Sequence, residues 1–393
     1  MNYINSRIEK LQNLLFKNEI AAALVQKPRN LFYYAGTSQP SNLWIPAEGK
    51  PILFTRRAHE LTEQVSTIPT IVKVSTFKEM KNYLMELDLF PSSTTYIGAE
   101  LDFIPYNLIN KLKKDIEHEN ITNITNLIMK QRVQKEESEI SKIRESTMLW
   151  KQSHEAILQN GGVNKTENEI AAIFEHEARI NGGDGIVWFH RWDAALPGGG
   201  IVASGENAWV ISGHAMTVTG VGLSQALPWG ASKKILKTGD LVVVDYGVCK
   251  EGYHGDMART YSVGKPSYKQ KDLWNKLLDV HFQVIDEIRP GVTGAHLYHK
   301  ALEIVKKMNL EDYFMGIKEN RGAYLGHSIG LEIDEFPVIG PRATDPLLEN
   351  TVITIEPKFM VPGLGSVMVE DDILITQKGH EILGDVGHEL FEI

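Results

Sequence analysis

The sequence predicts an α/β N-terminal domain over residues 1–135 followed by an α+β domain over residues 136–393. Three observations carry this reading. A chain of 393 residues is too long for one ordinary core and suits about two to three domains of roughly 100–200 residues each. Its first third alternates helical and strand-like patterns, as layered α/β sheets do. Beyond a charge-rich stretch near residues 130–140, a helix-plus-hairpin segment is followed by a second one.

Taken in order, residues 3–19 place Ile4, Ile8, Leu11 and Leu15 at helical spacing. AAALVQ (21–26) reads as a buried strand, followed by PRNLFYYAG, a turn into an aromatic stretch. PILFTRR (51–57) and TIVKVST (70–76) are further strands, and KEMKNYLMELDLF (78–90) is a helix. TTYIGAE (94–100) is a strand with a turn, and NLINKLKKDIEHE (107–119) a surface helix with an apolar stripe. Residues 129–157 read as a linking strand running into the long helix that opens the second domain. In the next helix, TENEIAAIFEHEARING, Thr166 and Glu169 fit a capping box. A Gly-rich, aromatic region from Gly182 to Gly230 precedes strands in KILKTGDLVVVDYGV and MARTYSVG. Helices at KDLWNKLLDVHFQVIDEI and AHLYHKALEIVKKM lead to strands at TVITIEPKFM and VMVEDDILITQKG.

Composition excludes several function classes. Lys plus Arg number 41 against 50 Asp plus Glu, a formal charge of −9 with no basic block, so a nucleic-acid partner is not expected. No apolar run approaches the roughly 18 residues of a membrane-spanning helix. The N-terminus reads as an amphipathic helix without a secretory apolar core. Cys249 is the single cysteine, which rules out an internal disulfide and fits a reducing compartment. It is expected in a hairpin turn with no catalytic role. The expected location is the cytoplasm.

The chemistry concentrates in LVVVDYGVCKEGYHGDMARTY. Asp245 and Asp256 flank a turn-like segment and so occupy neighbouring strands of a hairpin. Two carboxylates facing one another repel unless a cation neutralises them, and this pair alone is equally compatible with two exposed acids. Three further residues favour the metal. His327 lies in YLGHSIGLEIDE between glycines that permit close backbone approach. Glu356 and Glu370 interrupt the apolar runs VITIEPKF and SVMVEDDILIT, where an acid is usually paired or metal-bound. One imidazole and four carboxylates suit two divalent ions of the Mn, Co, Fe or Zn type.

With those strings in view, the chain resembles the pita-bread metallohydrolases, the group of prolidase, Xaa-Pro aminopeptidase, methionine aminopeptidase and creatinase. RIEKLQNLLFKNEIAAALVQKPRNLFYYAG is similar to the start of the creatinase/prolidase N-terminal domain, and IVASGENA and KTGDLVVVDYG to the approach to the first metal ligand. The resemblance implies a creatinase-like N-terminal domain and a pita-bread catalytic domain. It implies the metal ligands Asp245, Asp256, His327, Glu356 and Glu370, with Asp256 and Glu370 bridging two ions. Asp245 would serve one ion, His327 and Glu356 the other, and Glu356 would also accept the proton of the attacking water. The implied activity is metal-dependent hydrolysis of a small amide or short peptide, with Xaa-Pro peptidase as the default. The alternatives are a creatinase-like C–N hydrolase or lyase acting on a small metabolite, and a catalytically idle binding protein. A homodimer is also implied.

The chain departs from the family pattern at several positions. Trp229, in ALPWGAS, replaces a histidine of the Leu-Pro-His-Gly string. Asp334 stands where a second histidine follows the ligand histidine, Met368 where an arginine precedes the last ligand, and Lys358 where glycine follows the Glu-Pro pair. An indole N–H donates but takes up no proton, and an ionised Asp334 would repel a developing oxyanion. Trp229, Asp334 and His214 are therefore expected at the substrate side, His214 as a replacement for the absent histidine or as a loop residue without a role. In VWFHRWD, His190, Arg191 and Asp193 lie among Trp188, Phe189 and Trp192, a substrate pocket wall or ordinary packing. His254 shares a strand face with Asp256 or is exposed beside the turn. Gly-rich strings at 182–188 and 197–205 lack the strand–glycine–helix context of a phosphate loop.

Overall fold

A computed structural model describes residues 3–190, 196–212, 218–317 and 319–393. They divide into two compact units, Met1–Arg132 and Val133–Ile393.

The first unit is a mixed six-stranded sheet. Its spatial order is Ile71–Lys73, Ile52–Thr55, Ser41–Pro46, Ile20–Val25, Tyr96–Ala99 and Ile121–Asn123. Ile20–Val25 pairs antiparallel with Ser41–Pro46 and parallel with Tyr96–Ala99. The helix Tyr3–Lys17 buries Ile8, Leu11 and Leu15, the stripe its periodicity predicts. Where the sequence suggested a turn into aromatics, Pro28–Ala35 is a helix. Proline at its first turn is pre-set for helical φ, and Gly36 closes it in the left-handed region at φ 72°.

In the second unit, the predicted linking strand is instead a short helix, Thr125–Arg132, belonging to the end of the first unit; the long helix is Glu137–Asn160. Glu139 accepts from the backbone N–H of Glu136 at 3.0 Å and starts that helix. The hairpin Leu241–Lys250/Tyr253–Ser262 lies between Gly200–Ser204 and Phe391–Glu392 in a four-stranded sheet. A five-stranded sheet runs Glu335–Ile339, Gly326–Ser328, Val352–Ile355, Asp371–Thr376, Gly379–Ile382. Each sheet carries a helix pair. Trp150, Ile157 and Phe174 pack on Val242, Val244 and Tyr246, and Leu277, Val284 and Leu297 on Ile353, Ile355 and Ile373.

Both late apolar runs break where their acid sits. TVITIEPKFM divides into Val352–Ile355 and Lys358–Val361, and the second run into Gly365–Met368 and Asp371–Thr376. Pro357 supplies no N–H, so the ladder cannot continue through it. The outer halves pair with each other as a separate ribbon. Cys249 lies in the strand Leu241–Lys250, and not in the turn as expected. Its buried thiol donates to Asp184 Oδ2 at 3.3 Å, and burial with that neighbouring carboxylate pushes its pKa up.

His154 gives this core a pH dependence. Its ring lies among Trp150, Tyr261 and Phe391, with Nδ1 hydrogen-bonded to the Tyr261 hydroxyl at 2.6 Å. Burial, with Arg259 and Lys151 nearby, lowers its pKa to about 4. An unfolded histidine titrates near 6.5, so the unfolded chain takes the proton first. This contribution to stability is complete above about pH 6.5 and is lost as pH falls toward 4. The urea midpoint should therefore drop between pH 7 and pH 5, and drop less in His154→Gln. An equal drop in the variant would reject the assignment.

Candidate metal centre

The hairpin register sets the first pair of ligands. Asp245 lies opposite Ala258, and Asp256 opposite Gly247. Residues directly across share a face, as do residues two apart, so both carboxylates emerge on one side as diagonal neighbours. Glu370 is stitched to the same hairpin: its N–H donates to Ala258 O at 3.0 Å, and Ala258 N–H donates to Glu370 O at 3.3 Å. Glu356 sits at the other strand break, where its N–H donates to Leu325 O at 2.9 Å. His327 arrives from the neighbouring strand Gly326–Ser328, where a Cβ at Gly326 would meet Thr354 O at 1.9 Å. Only glycine lets that strand approach so closely.

These elements bring the five predicted ligands together. His327 Nε2 is 3.4 Å from Glu356 Oε1 and 3.7 Å from Asp256 Oδ2. One ligand atom each from Asp256, His327 and Glu370 lies within 4.8 Å of the others. Asp245 lies close enough to Glu356 and Glu370 for both to act on its carboxyl. Asp256, Glu356 and Glu370 are buried, whereas Asp245 and His327 are half-buried and form the open side.

The electrostatics fit a cation. Asp245 is pushed up to about 7 by desolvation, opposed by Lys358 and reinforced by Glu356. Asp256 and Glu370 are raised well above the carboxylate range, both by burial first and then by neighbouring carboxylates, Asp245 foremost for Asp256 and Asp256 foremost for Glu370. Carboxyl groups so crowded hold protons unless a metal ion takes their place. The donor set, one imidazole with carboxylate oxygens, suits a divalent ion.

The other sequence candidates separate. His254 is fully buried; its Nδ1 donates to Gly330 O at 2.9 Å and its Nε2 accepts from Trp188 N–H at 3.0 Å. Both nitrogens are engaged and burial lowers its pKa, so it is a neutral strut and not an exposed residue beside the turn. Asp334 Oδ1 accepts from the His190 N–H at 2.5 Å, and His190 Nδ1 is 3.3 Å from Glu332 Oε2. With Ile333 N–H donating to Trp188 O at 2.8 Å, residues 188–190 are zipped to 332–334. Trp229 is half-buried beside the Gly220–Gly230 bridge. Met368 is fully buried against Met360 and Val243. His214, Arg191, Trp192 and Asp193 lie outside the described residues.

The sequence reading missed one group and left a second without its partner. Arg259 is fully buried and donates to Glu370 O at 2.8 Å, Gly387 O at 2.9 Å and Asp371 Oδ1 at 2.6 Å. Asp371 Oδ2 is also 2.8 Å from His281 Nε2 and 2.6 Å from His388 Nε2. Although two imidazoles and a carboxylate converge there, the guanidinium already supplies the cation. The second group is Lys358, whose buried Nζ donates to Glu356 Oε2 at 2.6 Å.

Residues 141–377 match the model of metallopeptidase family M24, and residues 7–134 that of the creatinase/prolidase N-terminal domain. The chain belongs to metallopeptidase family M24. It is 30% identical over 393 residues to the Xaa-Pro dipeptidase of Pyrococcus horikoshii, covering 99% of this chain and 100% of that one. It is also 30% identical to the Xaa-Pro dipeptidase of Pyrococcus furiosus over 98% of this chain and all of the relative. The solved Xaa-Pro dipeptidase of Bacillus anthracis superposes with TM-score 0.84 at 26% identity, covering 99% of this chain and all of that one. The expected two-domain fold and the expected metal-dependent hydrolase are thus both met. Among the described residues, no helix is long and apolar enough to cross a membrane.

Proposed function

We propose that this M24 enzyme is an Xaa-Pro dipeptidase or aminopeptidase that hydrolyses short peptides at a divalent-metal centre. The observation that carries the reading is the convergence of His327 with Asp256, Glu356 and Glu370 in a chain that matches curated Xaa-Pro dipeptidases end to end. Asp245, Asp256, His327, Glu356 and Glu370 would hold two ions, Mn or Co being the first choices, with Fe and Zn the others. Such ions supply Lewis acidity and lower the pKa of water. Glu356 Oε1, free of the Lys358 contact, is the proton acceptor. Asp334, committed to the His190 backbone, shapes the substrate wall and does not face an oxyanion. Trp229 is a donor at that wall, and His214 a further candidate there. The cytoplasm as location and a homodimer as assembly complete the proposal.

The test is a panel of Xaa-Pro dipeptides with and without added Mn²⁺ or Co²⁺. Turnover should appear with metal, vanish with a chelator and return on re-addition. Metal should also raise the thermal midpoint, because it relieves the carboxylate repulsion. A metal-loaded chain inert toward the whole panel would reject the peptidase reading.

A further inference from the structure

A cavity of about 250 Å³ lies between the helix Glu167–Ile180 and the strand Leu241–Lys250. Tyr246 and Val248 form its floor, and alternation along the strand turns them away from the face that carries Asp245. Phe174, Ile186 and Val187 give it an apolar wall, with Ile186 left 43% exposed at the surface. Glu175 and Arg179 border the same space. Four residues apart on the helix, they stand on one face, one turn from each other.

Both charges are oriented without being neutralised. The Tyr246 hydroxyl donates to Glu175 Oε1 at 3.0 Å. Arg179 Nη1 donates to the neutral carbonyls of Gly183 and Asp184. Among the described residues, neither Glu175 nor Arg179 forms an ion pair. A Cβ at Gly198 would overlap the Glu175 carboxylate, and one at Gly185 the Arg179 guanidinium, so a glycine makes room for each charged end.

We propose that this cavity binds a free α-amino acid with a branched aliphatic side chain. Its ammonium meets Glu175, its carboxylate meets Arg179, and its side chain packs on Phe174 and Val187. The two charges of an amino acid share one carbon, so they bridge groups one helical turn apart through charge-assisted hydrogen bonds of about 2.8 Å at each end. A simple amine or carboxylic acid would answer only one of the two side chains, and a phosphate would be repelled by Glu175. The volume is below the roughly 300–1,000 Å³ of sites for drug-sized ligands, which suits so small a molecule. Binding there uses no metal ligand and stands apart from the peptidase reading.

The experiment is isothermal titration calorimetry of the full chain with L-leucine, for which a dissociation constant on the order of 1 mM or tighter is expected. Leucinamide, without the carboxylate, and N-acetyl-leucine, without the ammonium, should each bind about tenfold or more weakly. Glu175→Gln and Arg179→Gln should each weaken L-leucine by a similar factor. Glu175 is half-buried and Arg179 exposed, so neither substitution empties the core, and circular dichroism confirms folding. Should one variant not fold, the other and the two analogues decide. No heat with L-leucine up to about 20 mM, or equal binding of L-leucine and both analogues, would overturn the proposal. So would L-leucine binding unchanged in the folded variants, which would place the amino acid elsewhere on the chain.

Discussion

Glu356→Ala should abolish hydrolysis of Xaa-Pro dipeptides under saturating metal, and Glu356→Gln should lower kcat by about 10²–10⁴-fold, the range for a lost proton acceptor. The two substitutions remove different things. Alanine takes away a ligand and also the acceptor of the Lys358 ammonium, leaving a buried charge without its partner. That costs about 3–5 kcal/mol, so the alanine variant should unfold at a clearly lower temperature in the absence of metal. Glutamine keeps an oxygen for Lys358 but loses the negative charge and the ability to take up a proton. Its thermal midpoint should fall less than that of the alanine variant while its kcat falls. Activity that survives in Glu356→Gln would assign the proton to another group and sink the role given to Glu356.

The second large effect is structural. Arg259 binds the backbone carbonyls of Glu370, Ala258, Gly387 and Val386 and the carboxylate of Asp371 without exposing any of its side chain. Arg259→Ala removes all of these partners at once and leaves Asp371 buried. Breaking a buried pair in this way costs about 3–5 kcal/mol, a large share of the about 5–15 kcal/mol that holds a typical domain. The variant should be recovered largely unfolded, or with a midpoint many degrees lower, and it should bind Mn²⁺ less tightly because Glu370 loses its anchor. An unchanged midpoint would reject the assignment.

The sign of the accompanying pH effect follows from Asp371. Burial alone would raise its carboxyl, but Arg259 and the hydrogen bonds from His281 and His388 outweigh burial and hold it well below the usual range. A carboxyl depressed on folding contributes stability that is present above its unfolded value, about 3.9, and is lost as pH falls through the folded value. The wild type should therefore keep this contribution to below about pH 4. In Arg259→Ala burial is less opposed, and acid unfolding should begin at higher pH.

Much of the site was legible because its residues sit in local contexts that contradict themselves. An acid inside VITIEPKF or SVMVEDDILIT is costly unless something neutralises it, and that contradiction is visible without coordinates. The hairpin of Asp245 and Asp256 was legible from a turn flanked by strands. What the sequence concealed is of two kinds. TVITIEPKFM looks continuous because its hydropathy is; the break at Glu356–Pro357 follows from the missing N–H and from the pairing of Lys358–Val361 with Gly365–Met368. The cluster around Asp371 joins residues 90 and 17 positions away in sequence, a separation that no periodicity spans. Arg259 stood in plain view, three residues after Asp256 in MARTY, but an arginine in a strand carries no signal of burial. Lys358 was noticed as a departure, and its contact with Glu356 became apparent only once the strand turned at Pro357.

The buried Cys249 has a practical consequence. A thiol held neutral against Asp184, and shielded from solvent, is a poor target for air oxidation or alkylation. The purified enzyme should need no thiol reductant on the bench. Such reductants ligate divalent ions through sulfur and would distort any count of bound metal. Here they can be omitted, so the free Mn²⁺ concentration in a titration is the concentration added less what the protein takes.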